Sequence, residues 1–226
     1  MIVARAGNGA KSRLAEVLSP WQRRSLALAM LADVVDVCVH SRRVLAGTLA
    51  VVDDVALHAI DWPGVLTVAD PGRGGMNAAV AAGVAAAERR GATSVVVLPG
   101  DVPCISTGDL AALVAAAGDA PRAVVVGVSR DGDGTNALLL RPPRVIAPAF
   151  GPPSVDRHLA AGARAGAVTR TLAGLALARD VDTPADLLGL TDADVGPNTA
   201  VARAGVRLIQ TAARDRLLVG RSGEAG

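Results

Sequence analysis

The order of apolar runs in this chain limits its fold more than any other feature. Short β-branched or apolar runs fall at 48–52, 65–69, 94–98, 123–128 and 137–140. They are interleaved with stretches of helical character at 20–39, 75–90, 107–117 and 154–165. Alternating strands and helices with short connections predict an α/β sheet covered by helices on both faces. The run Ser94-Val95-Val96-Val97-Leu98 is apolar without alternation, as a strand buried on both faces should be. A short first strand is expected at 2–5 and a last one at 175–178. Ser19-Pro20 and Thr183-Pro184 each read as a helix start, a hydroxyl cap followed by proline at the first helical position.

Composition narrows the function classes. Half of the 226 residues are hydrophobic, and most of these are Ala, Val and Leu; Phe150 is the only Phe and there is no Tyr. Small aliphatics must therefore fill the core. The net charge of +2 is spread among scattered arginines and acids, with no dense basic run and almost no aromatic surface for base stacking, which argues against nucleic acid. The most apolar stretch, 26–39, is cut by Asp33 and Asp36 and is too short to span a bilayer. No signal peptide is read at the N-terminus. Cys38 and Cys104 form no disulfide framework, and Cys38 sits in an apolar helical run where it should pack. The expected setting is soluble, reducing and cytoplasmic. The expected organisation is one domain over 1–200, followed by a C-terminal helix or tail over 201–226 that is partly disordered.

Lys11 is the only lysine; the other twenty-two of the 23 basic residues are arginine. Lysine is a compact, flexible point charge suited to reaching between phosphate oxygens, where arginine is a planar fork. Lys11 follows the small-residue loop Ala6-Gly7-Asn8-Gly9 and precedes an expected helix, the layout of many phosphate sites. A surviving surface lysine is the competing reading.

Other polar residues collect where strands should end, and α/β sheets bind ligands at the carboxyl ends of their strands. Asp101 lies in the stiff turn Pro99-Gly100-Asp101-Val102-Pro103. Asp180 and Asp182, two apart, would share a side in extended chain, although Asp182 could instead cap the helix begun by Thr183-Pro184. The three aspartates form a plausible oxygen set for Mg²⁺, which takes one or two carboxylates plus substrate phosphates. The turn Gly132-Asp133-Gly134-Thr135-Asn136 could hold an anion or serve as a plain hairpin loop. Ser154, after Phe150-Gly151-Pro152-Pro153, is read as the N-cap of a helix whose N-terminus also suits an anion. Asn77 either contacts a base or sugar edge or caps its helix. Arg157 and His158 fall in a first helical turn, where a structural role suffices. His40, His58 and His158 have no metal-ligand spacing, and the chain has no G-x-S-x-G, paired-cysteine or Walker motif.

Seven segments in order carry a resemblance: AKSRL (10–14), LSPWQRRSLALAML (18–31), MNAAV (76–80), LPGDVP (98–103), DGTNALLL (133–140), FGPPSVDRH (150–158) and DVDTPADL (180–187). Together they resemble the 2-phospho-L-lactate / phosphoenolpyruvate guanylyltransferases of coenzyme F-420 biosynthesis, over roughly residues 2–200. The resemblance implies a three-layer α/β/α nucleotidyltransferase fold, Rossmann-like and of the nucleotide-diphospho-sugar transferase type, with a mostly parallel mixed sheet. It implies Mg²⁺-dependent transfer of GMP from GTP to a phosphorylated three-carbon acid, with release of pyrophosphate. By the same resemblance Asp101, Asp180 and Asp182 would hold the metal, Thr135, Gly151 and Ser154 the acid, Lys11 and Arg13 the GTP phosphates, and Asn77 would lie near the nucleoside. A downstream F-420 pathway transferase is the implied partner, and a homodimer is left open. The chain departs from the family in having Arg5 where a lysine is usual and Met76 where leucine is usual. The Ala/Arg/Val/Gly-rich composition resembles that of a GC-rich bacterial genome, and the resemblance implies phosphoenolpyruvate for family members of GC-rich actinobacteria and 2-phospho-L-lactate for those of methanogenic archaea. A different acceptor, such as a molybdopterin or sugar phosphate, and a catalytically silent nucleotide-binding domain are the rival readings. The DGTNALLL and FGPPS segments argue against the first, and the intact aspartates against the second.

Overall fold

Along the first strand, β1 (Ile2–Ala4), successive side chains enter opposite layers, and this alternation sets the architecture. Ile2 and Ala4 pack with Leu31 and Val34 of helix α1 (Pro20–His40) and with Leu110 and Leu113 of a helix that follows later. Val3 enters the other layer, with Ala79, Val80, Val84 and Val155. The computed structural model describes residues 1–4, 11–58 and 62–205. Arg5, the loop Ala6-Gly7-Asn8-Gly9 and the tail beyond 205 lie outside them.

The remaining strands are β2 (Thr48–Val52), β3 (Val65–Ala69), β4 (Val95–Pro99), β5 (Ala123–Val128), β6 (Thr135–Arg141) and β7 (Val168–Leu172). They form one seven-stranded sheet in the order β3-β2-β1-β4-β6-β5-β7. Only β6 runs against the others, so the sheet is mixed and mostly parallel. The helices after α1 are α2 (Val55–His58), α3 (Gly75–Glu88), α4 (Thr107–Ala117), α5 (Ser154–Arg164) and α6 (Pro184–Gly189). α1 and α4 cover one face, and α3 and α5 cover the other. The core is built from small aliphatics, so the layers sit close. A Cβ at Gly83 of α3 would lie 2.0 Å from Met1 Sδ and 2.8 Å from Val51 Cγ2.

Helix starts follow the sequence closely. Ser19 with Gln22, and Thr183 with Asp186, make reciprocal capping boxes ahead of Pro20 and Pro184, and Ser106 with Asp109 makes a third. Cys38 and Cys104 are buried and free. Among the described residues, no helix is long and apolar enough to cross a membrane.

Three expectations need correction. The segment expected as the last strand is a single 3₁₀ turn, Ala176–Ala178. The last strand is β7, an edge strand paired only with β5. Its sequence, Val-Thr-Arg-Thr-Leu, stays partly exposed, so it lacks the apolar run of an interior strand. The helix expected after Lys11 is one 3₁₀ turn, Ser12–Leu14. Ser154 is the first helical residue of α5 rather than its N-cap, because Pro153 holds that position.

A helix covering 197–205 packs back onto α1. The Asp33 carboxylate, 2 % exposed, accepts from the N–H groups of Asn198 (3.0 Å) and Thr199 (2.8 Å) and from Asn198 Nδ2 (2.8 Å). The acid that interrupts the apolar stretch of α1 therefore serves as the cap of another helix. Arg203, equally buried, holds the far side through Leu190 O and Asp192 Oδ1. Asp33→Ala leaves the buried Thr199 N–H and the partly buried Asn198 N–H without their acceptor and is expected to cost roughly 1–2 kcal/mol. A urea titration measures this as a lower midpoint at unchanged slope.

Candidate active site

The sheet order brings the site residues together. β1 and β4 are neighbouring parallel strands, so their carboxyl ends, where α/β sheets bind ligands, lie side by side. Lys11 follows β1 and Asp101 follows β4. β6 runs antiparallel, so its first residues, Thr135 and Asn136, lie at the edge where the parallel strands end.

Lys11 has φ +53°, the only non-glycine residue with positive φ among the described residues. That left-handed conformation is uncommon for a residue with a Cβ, and such residues cluster at functional sites. The turn that follows is anchored by Leu14, fully buried with Leu18, Leu26, Met30 and Val181. The Lys11 ammonium donates to Asp101 Oδ2 and, at 2.8 Å, to Asp182 Oδ1. The lysine side chain is only 7 % exposed, while Asp101 and Asp182 are 30 % and 44 % exposed. The cation is thus enclosed, and the two carboxylates keep access to solvent and to a ligand. Burial alone would lower the lysine pKa, but the carboxylates of Asp101 and Asp182 outweigh it and the net shift is upward. Lys11 stays charged.

Asp182 is available for this pairing because Thr183 and Asp186 cap α6 without it. Asp186 Oδ2 accepts from the N–H groups of Asp182 (3.2 Å) and Thr183 (2.8 Å). The buried Val181 donates its N–H to Asp101 O at 3.2 Å, which ties the two acidic segments together. Asp180 takes a different partner, Asn136 Nδ2, at 3.2 Å. The same amide nitrogen lies 3.2 Å from Leu177 O and Ala178 O, so Asn136 fixes the segment leading into the acidic pair. Burial pushes the Asp180 pKa up, the Asn136 bond opposes this, and Asp101 and Asp182 add to the rise. Among the described residues, no three Asp, Glu, His or Cys side chains gather around one point closely enough to hold a metal ion. Asp101 and Asp182 do converge on one cation, the Lys11 ammonium.

A second cluster surrounds the start of α5. Thr135 Oγ1 lies 2.9 Å from Ser154 Oγ and 3.2 Å from His158 Nδ1, all three side chains being buried. Gly151, at φ +96°, allows the chain to turn sharply before α5, and its carbonyl accepts from Arg157. Asn77 neither caps α3, whose N-cap is Gly74, nor stands free. Its Oδ1 accepts from Phe150 N–H at 2.7 Å and its Nδ2 donates to Phe150 O at 3.2 Å. Asn77 therefore clamps the loop that leads to Gly151. Arg13 is exposed on the turn after Lys11.

Burial, and then the neighbouring Arg157, lower the His158 pKa to about 4. An unfolded histidine titrates near 6.5, so the folded form holds its ring neutral while the unfolded form protonates. The associated stability is therefore complete above pH 6.5 and is lost as pH falls toward 4, by roughly 3 kcal/mol. Urea midpoints measured across that window should fall more steeply for the wild type than for His158→Asn.

Fold and site together define an α/β protein with a charged crevice at the carboxyl ends of its parallel strands. The same architecture occurs in a protein of Desulfovibrio desulfuricans G20 described as a nucleotide-diphospho-sugar transferase, with a TM-score of 0.69, 18% identity, and 93% of this chain and 95% of that one covered. Residues 1–196 match the family described as "Guanylyl transferase CofC like", and the chain belongs to that family of nucleotidyltransferases. Its relatives include the phosphoenolpyruvate guanylyltransferase of Conexibacter woesei, 39% identical over 81% of this chain and 82% of the relative. The phosphoenolpyruvate guanylyltransferase of Sphaerobacter thermophilus is also 39% identical, over 79% and 84%.

The parts played by two residues escaped the sequence reading, which took Asn136 only as part of the turn over 132–136 and His158 only as a structural first-turn residue. An asparagine beside apolar strand positions was the available signal for Asn136. His158 ends the FGPPSVDRH segment, but its bond to Thr135 forms only once α5 packs on β6.

Proposed function

We propose that this chain transfers GMP from GTP to phosphoenolpyruvate, releasing pyrophosphate, as a cytoplasmic step of coenzyme F-420 biosynthesis. The observation that carries this reading is the Lys11 ammonium shared by Asp101 and Asp182 at the adjacent carboxyl ends of β1 and β4. The names of the relatives supply the substrate class.

The nucleophile is an oxygen of the acid's ionised phosphate, so no general base is required. It bonds to the α-phosphorus of GTP, and the electron pair of the breaking bond to the bridging oxygen leaves with pyrophosphate. The task of the protein is to hold two polyanions together and stabilise the charge that develops on the leaving group. Lys11 and Arg13 are assigned to the GTP phosphates. Thr135, Ser154 and the Gly151 turn, at the N-terminus of α5, are assigned to the acid, where the helix dipole favours negative charge. Asn77 acts through the Phe150 loop and so shapes the site from behind.

The donor set fits Mg²⁺, because Asp101 and Asp182 already reach one shared cation and one or two carboxylates plus substrate phosphates suffice for this ion. Asp180, held by Asn136, is assigned as the third carboxylate of the set by the family resemblance. When bound, the ion would act as a Lewis acid on the phosphate oxygens.

The test is pyrophosphate release by the purified protein with GTP and Mg²⁺, supplied in parallel with phosphoenolpyruvate, 2-phospho-L-lactate or 3-phosphoglycerate. The next enzyme of the pathway should be present to trap the product. Turnover with phosphoenolpyruvate is expected. Turnover only with another acid would reassign the acceptor, and GTP binding without turnover on any acid would leave a nucleotide-binding domain.

A further inference from the structure

We infer that His158 is a positioning residue that fixes the direction of the Thr135 hydroxyl proton, and thereby prepares Thr135 and Ser154 to receive the anionic acid substrate. This rests on the assignment of those hydroxyls to the acid.

The argument is one of donors and acceptors. His158 is fully buried, in a T-shaped contact with the Phe150 ring at a centroid separation of 5.1 Å. Its Nε2 lies 3.0 Å from the backbone nitrogen of Ala149. A backbone N–H can only donate, so Nε2 must present its lone pair. The proton of the neutral imidazole is then on Nδ1, and Nδ1–H donates to Thr135 Oγ1 at 3.2 Å. Thr135 cannot return its own proton to His158. It must direct that proton toward Ser154 Oγ, 2.9 Å away, or toward an anionic oxygen placed beside it. Ser154 has a backbone acceptor of its own in Asp133 O, at 3.4 Å. The chain of donors therefore runs one way, from Ala149 N–H through the imidazole to Thr135 and on to Ser154.

The backbone end of this chain is itself held. The residue after Ala149 is Phe150, whose N–H and carbonyl are both engaged by Asn77. The other end is tied by the Val155 N–H, which donates to Asp133 O at 3.2 Å. A hydroxyl whose proton is already aimed needs no reorganisation when the anion arrives, which is how preorganised donors favour charge.

Two conservative variants separate the halves of the imidazole. In His158→Asn the amide nitrogen can replace Nδ1 as donor to Thr135. In His158→Gln the amide oxygen can replace Nε2 as acceptor for Ala149, while the donor to Thr135 is lost. The expected result is an acid KM within about threefold of wild type for Asn and raised about tenfold or more for Gln, as for one hydrogen bond to a charged group. The KM for GTP should be unchanged in both. A purely structural histidine would shift both substrates together or neither, and equal acid KM values in the two folded variants would overturn the proposal.

The second measurement needs no substrate. Long-range proton–nitrogen correlations of the imidazole in the wild-type protein report which ring nitrogen carries the proton. Protonated Nδ1 with an unprotonated Nε2 is expected, and protonated Nε2 refutes the proposal even if both variants fail to fold. If no acid supports turnover, the functional reading fails, and the imidazole spectrum still decides the wiring.

Discussion

Asp101→Asn should lower turnover about a thousandfold or more while leaving the fold intact, because it removes a charge that the neutral isostere cannot replace in a site assembled for polyanions. Asp101 is the best placed of the three acids. It follows the interior strand β4, pairs with Lys11, and accepts the Val181 N–H through its backbone oxygen. The last of these survives the substitution, so the acidic segment keeps its position. Steady-state rates, together with calorimetric titration of Mg²⁺ or Mn²⁺, check the result. Weakened metal affinity should accompany the lost rate, and retained metal activation would remove Asp101 from the metal set.

Lys11→Ala should lower turnover about a hundredfold or more, with little loss of stability. The stability cost is modest because Asp101 and Asp182 stay partly in water and can solvate once the ammonium is gone. Lys11→Arg should also be slow. A planar fork cannot take the place of a point charge held between two carboxylates with 7 % exposure. Thermal melts of both variants near the wild-type midpoint, alongside wild-type rates, would return Lys11 to a surface-charge role.

The chain spells out what is local. Ser19-Pro20 and Thr183-Pro184 announce their helices, since a hydroxyl cap and a proline act within a few residues. The buried run at 94–98 locates β4 to within one residue. β7 escapes because an edge strand need not be apolar, and Val168–Leu172 carries threonine and arginine. Ala176–Ala178 misleads because three small apolar residues suit a 3₁₀ turn as well as a strand.

The site divides in the same way. Each aspartate can be singled out from its turn, but the sharing of one cation by Asp101 and Asp182 depends on Lys11, separated from them by 90 and 171 positions. Only the sheet order puts them side by side. Asp182 reads in the sequence as cap or ligand; in the fold Thr183 is the cap, accepting the Asp186 N–H, and Asp186 Oδ2 accepts the Thr183 N–H in return. His158 is the extreme case: it ends the FGPPSVDRH segment, but its bonds join α5 to β6 and to the loop at Ala149, which the segment does not announce.

The most direct test of the account is a phosphorus NMR spectrum of the protein with GTP, Mg²⁺ and phosphoenolpyruvate, taken as the reaction proceeds. The account predicts loss of the three GTP resonances, growth of pyrophosphate, and a new pair of mutually coupled diphosphate signals from the guanylylated acid or its trapped derivative. Formation of GDP and inorganic phosphate instead, with the phosphoenolpyruvate signal unchanged, would contradict it.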